Sequence, residues 1–187
     1  MIDTDGLNDS ELIGGFRESG EMYYLDALVR RHIGKVRSMV YPMVLNDSDA
    51  DDVTQEVFLR VARSIGRFRG EAKFTSWLHR VAMNTAMDFL RSRSRRPADS
   101  RCEMPELPDP QPGPAHLAAS RELGADIHDA LSELSPRLRA AITMIAIQGM
   151  TTRDAAQACG CLPATLSWRV HQARKILRER LNHQGIS

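Results

Sequence analysis

Between Glu21 and Leu45 the apolar residues Leu25, Leu28, Val29, Ile33, Val36, Val40 and Val44 recur at helical intervals. That spacing gathers them along one side of a long helix, which Pro42 is expected to kink or end. A shorter helix precedes it, with Ser10 as the expected cap, Leu12, Ile13 and Phe16 as its apolar face, and Ser19-Gly20 as its stop. Asn46-Asp47-Ser48-Asp49 reads as another start, because short polar side chains cap free amides and acids suit the positive end of the dipole. The helix it opens, Asp49 to Ile65, divides cleanly. Val53, Val57, Val61 and Ile65, with Phe58 beside them, form a core stripe, while Asp52, Gln55, Glu56, Leu59 and Arg63 share the opposite side. A third long pattern lies between Phe74 and Arg95. Trp77, Leu78, Val81, Ala82, Thr85 and Phe89 fall on one arc; Arg80, Asn84, Met87 and Arg91 fall on another.

After Arg96 the pattern lapses. Pro97, Pro105, Pro108, Pro110, Pro112 and Pro114 punctuate a stretch that also carries Glu103, Glu106 and Asp109, a composition that makes a linker rather than a core. Extended at ~3.1 Å per residue, its twenty-odd residues reach roughly 60 Å. Helicity is expected again from Ala118, with Leu123, Ile127, Leu131 and Leu134 in phase. Ser135-Pro136 is a cap followed by proline at the first helical position, and that helix carries Leu138, Ile142, Ile145 and Ala146 up to Gly149. Thr151-Thr152-Arg153-Asp154 has the form of a capping box with Asp in the acidic place. A short helix runs from there to Cys159, and Pro163 opens a last one to about Leu181.

The fold class that follows is all-α: two small helical domains, an N-terminal bundle and a C-terminal helix-turn-helix domain, joined by a flexible acidic Pro-rich linker. The boundaries read as a loose segment 1–9, a first domain 10–97, the linker 98–117, a second domain 118–182 and a tail 183–187. A chain of 187 residues suits two domains of that size. The net charge is only +1, but it is segregated. Acids gather before Val57 and in the linker, bases between Arg60 and Arg101 and after Arg169, so different segments are set for different partners. No apolar run approaches the ~20 residues needed to cross a bilayer, and no signal peptide is evident, which points to a cytoplasmic protein. Cys102, Cys159 and Cys161 are an odd set, suited to a reducing compartment; Cys159-Gly160-Cys161 lacks zinc-knuckle spacing and a second ligand pair, so neither metal nor cofactor is expected.

Two surfaces carry chemistry. The Arg80, Asn84, Met87, Arg91 face continues a basic, glycine-containing loop with Arg67, Arg69 and Lys73, and runs out into Arg93, Arg95 and Arg96. Guanidinium groups neutralise phosphates, and an amide both donates to and accepts from a base edge. The bland alternative is a solvated helix face; the density of cations around this one favours nucleic acid. In the C-terminal part, Ala156, Gly160 and Leu166 have helix-turn-helix spacing: a small residue where two helices approach, a turn, and an apolar corner. Leu166, Val170, Ala173 and Leu177 make the back of the last helix. Ala164, Trp168, His171, Gln172 and Lys175 make its front, with Arg169, Arg174 and Arg178 as cationic shoulders. An ordinary helical hairpin is the alternative, and the polar front argues against it.

These segments together resemble the bacterial extracytoplasmic-function (ECF) sigma factors of the sigma-70 superfamily. The resemblance rests on DADDVTQEVFLRV, on RFRGEAKFTSWLHRVAMNTAMDFLR, and on LSELSPRLRAAITM with the helix-turn-helix after it, and covers about Ser10 to Leu181. It implies that the chain binds core RNA polymerase, recognises minus-35 and minus-10 promoter elements and assists promoter opening. Asp52, Gln55, Glu56 and Leu59 would meet the beta-prime clamp helices, and the polymerase beta subunit is a further contact. Phe68, Arg69, Gly70, Glu71 and Lys73 match the loop that captures an unstacked base of the minus-10 element, and Arg80, Asn84 and Arg91 lie on the helix that meets it. In the last helix, Thr165, Ser167, Trp168, Arg169, His171, Gln172 and Lys175 fall where the minus-35 element is read. The linker matches the segment that lies in the polymerase cleft. An anti-sigma protein is a partner many relatives have; nothing in this sequence identifies one.

There are departures from the family pattern. Leu162 stands where a proline is common, Pro163 comes one residue late, and Ser167-Trp168 replaces a basic-then-small pair at the head of the reading helix. Trp77 can be mistaken for a base-stacking platform, but its phase assigns it to the core. A conventional regulator remains the main rival reading. An enzyme is remote: Asp49, Asp51, Asp52 and Glu56 have no matching ligand cluster, and neither a phosphate loop nor a paired nucleophile and base is evident.

Overall fold

The computed structural model describes residue 4, residues 6–95 and residues 126–183. The linker 98–117, the expected resumption of helix at Ala118 and the last residues of the tail lie outside the described residues. Described secondary structure is entirely helical, in two units. The first holds α1 (Asp9–Ser19), α2 (Met22–Val44), α3 (Asp47–Ser64), a short 3-10 turn (Ile65–Arg67) and α4 (Phe74–Arg95). The second holds α5 (residues 126–132), α6 (Pro136–Ile142), a π turn (Thr143–Ile147), α7 (Thr152–Ala158) and α8 (Pro163–His183).

Local chemistry sets most of the helix ends, with two differences from expectation. Asn8, not Ser10, caps α1: its side chain accepts from the Ser10 and Glu11 amides at 2.9 and 3.1 Å, and Glu11 returns a bond to the Asn8 amide at 2.7 Å. An amide at Asn8 followed by Glu11 completes a reciprocal box, and Ser10 has no such partner three residues on. Pro42 does not itself end α2: it sits buried in the last turn, and Leu45 in the left-handed region (φ 57°) closes the helix after Val44. Asn46 caps α3 through the Asp49 amide at 2.8 Å.

The first core is built largely from the expected stripes, but Ile33 of the α2 stripe is exposed and Met39, outside it, is buried. Leu12, Leu28, Val36, Met39, Val53, Val57, Val61, Ile65, Leu78 and Ala82 are all buried. Each large aliphatic among them contributes about 1.5–3 kcal/mol. Arg37 clamps α2 to α3 from outside, donating to Asp51 and Asp47 at 2.6 Å each. Val81 and Phe89 are half-buried rather than central.

In the second unit the five-residue π turn resets the helical phase after Ile142, so the buried set is Arg139, Ala140, Ala141, Ile142, Thr143 and Met144, while Ala146 faces out. Ile127 is likewise exposed, whereas Leu131 and Leu134 are buried.

His79, on α4, is half-buried with its Nδ1 unpartnered. Burial, and then the neighbouring His32 and Lys35, hold its pKa below the usual 6.5. The unfolded chain therefore takes up this proton first, and stability declines as pH falls through about 6.5 and below. We expect thermal melts to lose Tm on acidification, and His79→Gln to shrink that loss; an identical pH profile in the variant counts against the assignment.

Candidate nucleic-acid interface

The 68–74 loop is pinned at its ends and open in its middle. Phe68 is half-buried, its ring 5.4 Å from Trp77 and 6.0 Å from Phe74, and Arg17 donates to its carbonyl at 3.4 Å. Trp77 lies 5.8 Å from Phe74 and is half-buried, so it packs as the sequence phase requires but forms the rim of the core rather than its interior. Between these anchors Gly70 turns the chain at φ 74°, a region glycine enters without a Cβ penalty. Arg69, Glu71 and Lys73 stand exposed on it, and Arg69 and Glu71 make only a loose pair at 4.0 Å.

Along α4, Arg80, Asn84 and Arg91 are exposed on one face, and Met87 is half-buried between them. Asp88, one residue off this face, accepts from Arg60 at 3.0 Å and from Arg91 at 3.5 Å. Arg93 is committed elsewhere, in an ion pair with Asp49. On the neighbouring α3, Asp52, Gln55 and Leu59 are exposed, and Leu59 keeps 51% of its surface open. Glu56 is half-buried and accepts from Arg60 Nε at 2.9 Å. Bonds to Glu56 and then Asp88 hold the Arg60 guanidinium above its usual pKa, so this arginine is a strut between α3 and α4.

The helix-turn-helix is assembled as its spacing predicts. The Thr151 hydroxyl caps α7 at the Asp154 amide (3.2 Å) and donates to the Asp154 carboxylate (2.7 Å), a variant in which the acid returns to the hydroxyl and not to the backbone. Gly160 makes the turn at φ 61°, and Ala156, Leu166, Val170 and Ala173 are buried at the crossing, with Leu177 half-buried. On the outer side of α8, Ser167, Trp168, His171 and Lys175 are exposed, and Thr165, Arg169 and Gln172 are half-buried. Trp168 keeps 59% of its surface open. Arg180 ties α8 to the rest of the unit through Glu133 at 3.0 Å. Burial, with Cys161 adding to it and Arg169 opposing, pushes the Cys159 thiol up to about 11, which disfavours thiolate chemistry at neutral pH. Among the described residues no three His, Cys, Asp or Glu side chains cluster as a metal site, and no helix is long and apolar enough to cross a membrane.

One residue escaped the sequence reading altogether. Arg139 is 8% exposed and donates to the carbonyls of Met43 (2.7 Å) and Leu134 (3.0 Å). Only its phase among buried Ala140, Ala141 and Ile142 hinted at this.

Each of the two helical units presents a cationic helix face, the kind of surface that suits nucleic acid, and an acid-and-leucine face lies beside the first. The comparisons make this specific. Residues 28–96 match the family described as Sigma-70 region 2, and residues 124–177 match Sigma-70, region 4. The chain is 34% identical over 157 residues to the ECF RNA polymerase sigma factor SigE of Mycolicibacterium smegmatis, covering 83% of this chain and 61% of that protein. It is 30% identical over 173 residues to the RNA polymerase sigma-H factor of Pseudomonas aeruginosa, covering 88% of this chain and 89% of that one. Among solved structures, the sigma factor RpoE in complex with the anti-sigma factor NepR from Bartonella quintana matches with a TM-score of 0.67 at 26% identity, over 84% of this chain and 96% of that chain. The chain belongs to the sigma-70 family of RNA polymerase sigma factors, in its ECF class, and its role is promoter recognition in transcription initiation.

Proposed function

We propose that the labour is divided by face. The units are assigned as region 2 over 10–97 and region 4 over 118–182. Asp52, Gln55, Glu56 and Leu59 dock the beta-prime clamp helices of core polymerase, with Leu59 as the apolar centre of an acidic rim. Phe68, Arg69, Gly70, Glu71 and Lys73 take an extruded base of the minus-10 element, and Arg80, Asn84 and Arg91 grip the strand beside it. Thr165, Ser167, Trp168, Arg169, His171, Gln172 and Lys175 read the minus-35 element, where the exposed indole of Trp168 meets a thymine methyl or a sugar. The observation that carries this reading is the exposure of Arg69, Arg80, Asn84 and Arg91, the last three on a helix whose other side is locked into the core. Extruding a base costs a few kcal/mol of stacking, which an electrostatic grip on the strand offsets.

The chain acts as a non-catalytic factor in the cytoplasm, where polymerase and promoter are. An anti-sigma protein is a further partner in this reading, supported by the RpoE–NepR likeness. The test is reconstitution: added to core polymerase, the chain restores initiation at a defined start, whereas a conventional repressor does not. Leu59→Arg is expected to weaken core binding about tenfold or more at unchanged Tm, because a truncated central anchor costs ~2 kcal/mol or more. Unchanged affinity removes the clamp assignment.

A further inference from the structure

A cleft of about 240 Å³ opens where α4 meets the second unit. Three arginines from three helices line it: Arg91 from α4, Arg137 from α6 and Arg169 from α8. They stand far apart in the chain, so no local spacing groups them. Arg91 and Arg137 are exposed and Arg169 is half-buried. The Asn84 amide belongs to the same lining, and Met83 and Met87 give it an apolar part.

Charge sets this cleft apart. Among the described residues no carboxylate lines it. Arg137 and Arg169 have no ion-pair partner among those residues, and Arg91 has only Asp88, at 3.5 Å. Arg169 also favours the charged form of the Cys159 thiol, another lining group, so its positive field is felt inside the cleft. Like charges gathered beside apolar surface repel more strongly than in open water, and a bound anion replaces that repulsion with attraction. A second cleft, of about 370 Å³, makes the contrast. Arg67, Arg69 and Arg80 line it, but Glu71 and Asp154 stand among them. There the protein supplies its own counter-charge.

Size and lining narrow the occupant. Guanidinium forks match phosphate oxygens in pairs. The volume falls below the roughly 300–1,000 Å³ of sites for drug-sized ligands, and among the described residues no aromatic ring lines the cleft to stack a base. A nucleotide does not suit it; a compact, multiply charged oxyanion does. Diphosphate carries more charge than a single phosphate and offers two ends to the three forks.

We propose that this cleft is a binding site for free diphosphate, held by Arg91, Arg137 and Arg169 with the Asn84 amide as a further donor. The site goes beyond the promoter assignments, because Arg137 belongs to none of them. Phosphate oxygens also reach such a surface on a DNA backbone, and the experiment separates the two sources.

The full-length chain is titrated with sodium pyrophosphate by calorimetry in magnesium-free buffer, with sodium sulfate at matched ionic strength as the comparison. Wild type is expected to bind pyrophosphate saturably, and sulfate roughly tenfold more weakly. Arg137→Ala and Arg169→Ala are each expected to weaken pyrophosphate about tenfold or more, because each removes charge-assisted bonds. Arg174 is exposed on α8 outside the cleft lining, and Arg174→Ala is expected to change nothing. Arg137 is exposed, so its variant keeps the fold, which circular dichroism checks. Equal binding of the two anions, or an equal loss in Arg174→Ala, means a diffuse basic surface and overturns the site. A second titration uses a short mixed-sequence single strand of DNA. If Arg137→Ala weakens the strand while wild type shows no saturable pyrophosphate binding, the cleft holds backbone and the proposal fails. Pyrophosphate binding lost in Arg137→Ala with strand binding unchanged is the expected pattern. It leaves the α4 and α8 promoter assignments to their own tests.

Discussion

Asn84→Ala is expected to cut promoter opening by reassembled polymerase about 10- to 100-fold, with the fold and core binding intact. Asn84 is exposed in the middle of the α4 face, between Arg80 and Arg91, to which we assign phosphate contacts rather than sequence reading. An amide that donates and accepts at one base edge is worth about 1–3 kcal/mol of discrimination, and alanine supplies none of it. The loss should therefore be largest at the base it meets, and should shrink on templates altered there. Arg91→Ala is the contrasting case. It weakens binding evenly across sequences and makes the salt dependence shallower by about 0.7 in log–log slope, the value for one phosphate on a single strand. Abortive-initiation assays at several salt concentrations separate the two. If both variants behave alike, the division between grip and readout on this helix is wrong.

Leu166→Ala is expected to cost about 2–5 kcal/mol, enough to unfold most small helical units. Leu166 has no exposed surface and closes the corner between α7 and α8. α7 has only seven residues, so it has little helical stability of its own and depends on that corner. The readout is loss of the minus-35 footprint, with an earlier melting step assigned to region 4. A variant that melts with wild type and still protects that element removes the claim that this corner holds the reading helix in place.

Much of this was legible from pattern alone. The stripe Val53, Val57, Val61, Ile65 is buried because a spacing of four puts it on one side of α3 whatever that side packs against. Gly160 and the caps Asn46 and Thr151 act within a few residues of themselves, so their roles follow from local chemistry. Illegibility began where the outcome depended on competition or distance. Asn8 displaced Ser10 because a partner three residues on favoured it. Pro42 lies inside α2, in the last turn of a helix closed two residues on, after Val44, by Leu45. Trp77 was assigned to the core by phase, but phase does not say how far the core extends, and its ring ended at the rim beside Phe68.

The sequence by itself determined the number of described helices in the first unit, the buried stripe of α3, the helix-turn-helix, and which faces carry cations or acids, because each follows from periodicity and caps acting over a few residues. Tertiary structure alone decided that Arg60 braces α3 against α4, that a π turn re-phases the helix after Ile142, and that Arg139 donates to the Met43 carbonyl 96 positions away. Those outcomes depend on which carbonyls and carboxylates arrive together when the chain packs, and no local spacing encodes a meeting of that kind.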